Sequence, residues 1–160
     1  MYYPVSCPPV RRPLCPPVYP PPVQPMPWAV GCALQEIAFW SRIAAEQTVA
    51  ARSLVPNLDE ATATELQRLE QEYADIEARA RLLRENWGTF GSLDPVLGEL
   101  GMLINRSMSA NTRLIELYAA IAQANPDNAV VQLLARHFSS LIRYYQALLE
   151  QMTPAIMGRY

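Results

Sequence analysis

The chain contains one histidine, and its setting determines what chemistry the chain could support. It lies in ARHFSSLIRYYQALLEQ, residues 135–151, which has the spacing of a helix. Followed in steps of three and four, the apolar positions run Val130, Leu134, His137, Leu141, Tyr145 or Tyr144, Leu148 and Met152. On that register His137 is expected to point inward between two leucines. A buried histidine can ligate a metal, act as an acid or base, or accept internal hydrogen bonds. Each role needs partners, so the rest of the chain has to supply them.

Long helical patterns fill the chain from residue 28 onward, and prolines mark their ends. Eleven of the fifteen prolines fall between Pro4 and Pro27. That density predicts polyproline II or disorder for a Pro/Tyr-rich tail, residues 1–27, ahead of a helical domain over 28–160. The remaining four, Pro56, Pro95, Pro126 and Pro154, are expected at helix boundaries. The first helix is predicted from about Trp28 to Leu54, with the seam Glu36, Trp40, Ile43, Gln47, Ala50, Leu54. The second begins near Asp59 or Thr62, where Thr62 and Glu65 have capping-box spacing, and follows Leu66, Leu69, Tyr73, Ile76, Ala80, Leu83, Trp87. Asp94 as cap and Pro95 open a third along Leu97, Leu100, Ile104, Ser107, Asn111, Leu114, Tyr118, Ile121. Asn125 and Pro126 open the fourth in the same way, and it is expected to stop before Pro154.

Four helices of roughly 25 residues with short links favour an all-α, up-down-up-down four-helix bundle. Counting depth from the end that holds the Pro56 and Pro126 turns places Gln47, Tyr73, Asn111 and His137 at one level. These four are expected to form a buried polar layer that fixes helix register. A metal cage is the competing reading, but one imidazole with two neutral amides supplies no anionic oxygen. Bundle di-metal sites use several glutamates with Glu-x-x-His pairs, and no such pair occurs in this chain.

Composition narrows the function classes. The net charge of −2 and a pI near 5.4 argue against a nucleic-acid surface; that all 13 basic residues are arginine reads as a coding bias and not a mechanism. Arg11 and Arg12 are the only charges in the first 27 residues; 11 arginines and 15 acids remain, so the tail is +2 and the body −4. No apolar run reaches the ~18 residues of a membrane span, and no signal-peptide pattern opens the chain, so a cytoplasmic location is expected. Cys7, Cys15 and Cys32 lack zinc-site spacing and read as free or incidentally crosslinked thiols. Ser139 and Ser140 lack a hydrolase elbow, and GTFGS lacks a phosphate-loop lysine.

The segments QEIAFWSRIAAEQ (35–47) and ARHFSSLIRYY (135–145) resemble the ferritin-like domain of unknown function 2935, found mainly in endospore-forming bacteria. Glu36, Phe39, Trp40, Glu46, His137, Tyr144 and Tyr145 match its motifs; Gln47 and Leu141 stand where the family has a histidine and a glutamate. The resemblance implies a single-copy, ferritin-like bundle with a degenerate metal site and a sporulation, mother-cell or spore-coat setting. Members often carry two bundles in tandem, which implies a homodimer here. Two function classes follow. The first is a non-catalytic interaction or structural protein whose Pro-rich tail meets protein partners, with no cofactor, no nucleic acid and no membrane insertion. The alternative is an iron- or manganese-binding protein using Glu36, Glu46, Glu116 and His137.

Overall fold

The computed structural model describes residues 27–86 and 92–157, so the predicted tail lies almost wholly outside the described residues. Four helices and no strand occur among them: α1 (Pro27–Leu54), α2 (Glu60–Asn86), α3 (Asp94–Ala124) and α4 (Ala129–Met157).

Local chemistry explains where each helix begins and ends. The α1–α2 turn passes through Asn57 at φ 57°, a left-handed conformation that asparagine tolerates better than most residues. Asp59 then caps α2. Its carboxylate accepts from the Thr62 N–H at 2.9 Å and the Thr62 hydroxyl at 2.6 Å, which leaves Thr62 as the third helical residue rather than the cap. These bonds favour the charged carboxylate and lower its pKa. Asp94 is not the cap of α3 either, because that position falls to Leu93, which makes no side-chain capping bond; Pro95 occupies the first turn as expected.

The device at Asn125 also works differently from the expectation. Asn125 closes α3, its amide donating to the Ile121 carbonyl at 2.9 Å. Asn128 caps α4 instead, its Oδ1 accepting from the N–H groups of Val130 and Val131 at 3.2 Å. At the other end, α4 continues through Pro154 to Met157 rather than stopping before the proline. A proline this close to a helix end removes one backbone donor where few turns remain to be disrupted.

The helices form a four-helix bundle made of two tightly packed hairpins, α1 with α2 and α3 with α4. Contact between α2 and α3 is thinner, that of α1 with α3 and α4 thinner again, and α2 and α4 touch least. Ion pairs fix the antiparallel sense of α2 and α3. Arg79 near the end of α2 meets Glu99 near the start of α3 at 2.9 Å, while Arg113 reaches back to Glu72 and Glu65. Arg52 of α1 pairs with Glu70 of α2. Tyr118 of α3 packs on Phe138 of α4 with ring centroids 5.6 Å apart, across the α3–α4 turn. A continuous core runs between the helices from Val30 and Leu34 at one end of α1 to Val55, Ile121 and Val131 at the other.

On α2 and α3 the buried stripes are those the periodicity predicts, Leu66 through Leu83 and Leu97 through Ile121; Trp87 lies outside the described residues. The other two helices are each rotated by about one residue. On α1 the inward stripe is Val30, Leu34, Ile37, Ser41, Ala44, Thr48, Ala51 and Val55, whereas Trp40 and Ile43 are half-buried and Leu54 is exposed. Its small residues let the partner helix approach closely, so packing selects this stripe over the bulkier one beside it. On α4 the stripe is Val131, Ala135, Phe138, Ile142, Tyr145 and Leu149, while Val130 is 65% exposed.

Candidate functional site

The one-residue rotation of α4 decides the fate of His137. It faces solvent and does not join the polar layer. The leucines on either side, Leu134 and Leu141, are only half-buried. Two apolar stripes lie side by side on α4, and the three- and four-residue steps fit both. The structure takes the one holding Phe138, Ile142 and Tyr145, because these residues have partners on the facing helices.

The other three members of the expected layer are inside. Gln47 on α1, Tyr73 on α2 and Asn111 on α3 are all buried. The Tyr73 hydroxyl donates to Asn111 Oδ1 at 2.8 Å, a bond between α2 and α3. Neither amide atom of Gln47 and not the Asn111 Nδ2 has a hydrogen-bond partner in the protein. The layer is thus only partly satisfied.

A second set of interior bonds was not anticipated as a unit. The Tyr145 hydroxyl on α4 lies 3.1 Å from the Ser41 hydroxyl on α1 and donates to Ser107 Oγ on α3 at 3.0 Å. Three helices therefore meet at one phenol. Ser41, Ser107 and Tyr145 are each completely buried. The available sign was two small hydroxyl residues within otherwise apolar stripes, opposite the only adjacent tyrosine pair on α4. Thr48, also buried, instead donates to its own helix at Ala45 O.

Burial dominates the acid–base character of this interior. It pushes the Tyr145 phenol up to about 12, partly offset by the bonds to Ser107 and Ser41. Tyr118 and Tyr73 are raised for the same reason, with the nearby phenols of Tyr145 and Tyr118 adding to the effect at Tyr73. All three are firmly neutral at physiological pH, so they serve as hydrogen-bonding groups and not as bases.

Glu36 is also buried, and the Trp40 indole Nε1 donates to its Oε2 at 3.2 Å. Trp40 in turn lies against both tyrosines of the pair, 5.1 Å from Tyr144 and 6.2 Å from Tyr145 between ring centroids. The indole thus links the Glu36 carboxylate to the tyrosine pair. The other residues named for metal binding are elsewhere. Glu46 is exposed and paired with Arg42 at 3.0 Å, and Glu116 and His137 are exposed on α3 and α4. Among the described residues no group of three or more His, Cys, Asp or Glu side chains is arranged to hold a metal ion. Cys32 forms a disulfide whose partner lies outside the described residues. No helix among the described residues is long and apolar enough to cross a membrane.

No family model matches the chain, and no curated protein or solved structure does either.

Proposed function

We propose that the protein is a non-catalytic helical bundle that acts as an interaction or structural protein. The carrying observation is how the buried polar side chains are used. Tyr145 joins Ser41 to Ser107 and Tyr73 joins Asn111, each bond crossing from one helix to another. Such bonds lock the relative positions of helices, as a scaffold requires. A catalytic centre would turn its polar groups toward an opening.

The resemblance at residues 35–47 and 135–145 supports reading the chain as a single-copy, degenerate relative of the ferritin-like domain of unknown function 2935. A sporulation-associated role, in the mother cell or the spore coat, follows by analogy. The Cys32 disulfide favours the coat over a reducing cytoplasm. The partners are proteins, met through the Pro-rich tail, together with a second copy of the chain. The tandem two-bundle form common in that family supports the homodimer, a second copy here standing in for the second bundle.

The competing reading, an iron- or manganese-binding protein, retains one supporting feature in the buried carboxylate of Glu36. Elemental analysis of protein purified without chelator separates the two readings. Iron and manganese far below one per chain are expected. A stoichiometric content that falls on Glu36→Gln would replace the scaffold reading with the metal-binding one. Sedimentation at tens of micromolar should show a dimer, and a strict 17.9 kDa species would refute that part.

A further inference from the structure

The edge between α1 and α4 carries a run of aromatic surface. Phe39, 46% exposed, stands edge-on to Trp40 at 5.3 Å, and Trp40 continues to Tyr144, 36% exposed, at 5.1 Å. Contact between α1 and α4 along this edge is slight compared with that inside either hairpin. Scattered apolar residues are normal on a surface, but three contiguous rings make a platform. Aromatic platforms of this kind suit extended proline-rich segments, whose rigid rings stack on them and whose backbone loses little entropy on docking.

We propose that this platform holds the chain's own tail, with residues 18–22, Val-Tyr-Pro-Pro-Pro, lying across Phe39, Trp40 and Tyr144. Two observations select that occupant over a separate molecule. The first is reach. From Pro27 to Phe39 is twelve residues of α1, about 18 Å at ~1.5 Å per residue. A polyproline segment covers that in about six residues at ~3.1 Å each, which brings Pro20–Pro22 level with Phe39. The second is the anchor. Cys32 is seven residues before Phe39, two turns away on the same face of α1, and it is disulfide-bonded. The chain's other cysteines, Cys7 and Cys15, are both in the tail. Whichever one Cys32 takes, the bond closes a loop of tail beside the platform. A segment tethered at both ends has an effective concentration in the millimolar range, well above that of a free competitor.

The test is NMR of the full, oxidised chain. Val18 and Tyr19 should show heteronuclear NOE values like those of the helices, with cross-peaks from Pro20–Pro22 to the rings of Phe39 and Tyr144. Phe39→Ala combined with Tyr144→Ala should abolish the cross-peaks and return the tail to fast motion, with helical circular dichroism unchanged. Should that variant fail to fold, the wild-type spectra decide alone. Fast tail motion in the oxidised wild type would overturn the proposal. So would order that develops only as the concentration is raised, which would assign the platform to a second copy.

Discussion

Removing one oxygen atom, by Tyr145→Phe, is the sharpest probe of how this bundle is held in register. The ring stays, so the apolar contacts with Trp40 and the core are preserved. Two interhelical hydrogen bonds disappear, to Ser41 and to Ser107, and both serine hydroxyls remain buried. A buried hydrogen bond contributes about 1 kcal/mol net, and a partner left unsatisfied costs about 1–3 kcal/mol. Rotation of the serines toward backbone carbonyls of their own helices recovers part of this. A loss of about 2–4 kcal/mol results, or on the order of 10 °C in Tm for a domain of this size. The companion variant sharpens the test. Ser41→Ala and Ser107→Ala added to Tyr145→Phe remove the stranded hydroxyls, so the triple variant should be more stable than Tyr145→Phe alone. Urea melts of the wild type, the single variants and the triple variant measure both quantities. A Tyr145→Phe loss below about 0.5 kcal/mol, or simple additivity across the set, would refute a shared three-helix junction.

Gln47→Met should raise stability by roughly 1–3 kcal/mol, because it replaces a buried amide lacking protein partners with an apolar side chain of similar length; a lower denaturation midpoint would show that the amide is satisfied. Alkaline melts should reveal the neutral tyrosines. Their folded pKa values are raised, so their contribution is complete below the ordinary value near 10 and is lost as pH rises through the folded values, about 12 for Tyr145. Stability should therefore be nearly flat to pH 10 and then fall, with Tyr145 alone accounting for about 1.4 kcal/mol at pH 11, and a flat profile to pH 12 would contradict their burial. His137→Ala should change stability by less than about 0.5 kcal/mol, as expected of a surface position; a loss above 2 kcal/mol in thermal or urea melts would restore an interior role for it.

The helices could be read from the chain because prolines and caps punctuate it, and on α2 and α3 the apolar stripe was unambiguous. On α2 the large side chains have no rival set one residue away, since Leu66, Leu69, Tyr73 and Ile76 are flanked by charged and amide residues and one alanine, Ala74; on α3 Val96 and Leu103 widen the predicted stripe without displacing it. The same periodicity failed on α4, where Val130, Leu134 and Leu141 form a stripe as apolar as the Val131, Ala135, Ile142 stripe beside it. Choosing between them requires the facing helices. Phe138 finds Tyr118, and Tyr145 finds two serines, contacts invisible within one segment. On α1 the misreading came from preferring bulk, since Trp40 and Ile43 outweigh Ser41 and Ala44 on any hydropathy scale while close packing favours the small residues. The Tyr73–Asn111 bond was legible because both residues lay on stripes that were read correctly. The cap shift from Asn125 to Asn128 reflects a turn with an asparagine at either end, each able to serve one helix.

The division into two hairpins also shapes how the molecule is expected to come apart. Most interhelical contact is between sequence neighbours, α1 with α2 and α3 with α4, so the average contact spans little chain. Low contact order of this kind goes with folding in microseconds to milliseconds, each hairpin collapsing on its own before the pair docks. In the native state the thinner seam between the hairpins should open at lower free energy than either hairpin unravels. Amide hydrogen exchange would then resolve two blocks of protons, with α1 and α2 exchanging together and α3 and α4 together. The phenol of Tyr145 spans that seam to Ser41 and the phenol of Tyr73 spans it to Asn111, so two buried side chains latch the two cooperative units together.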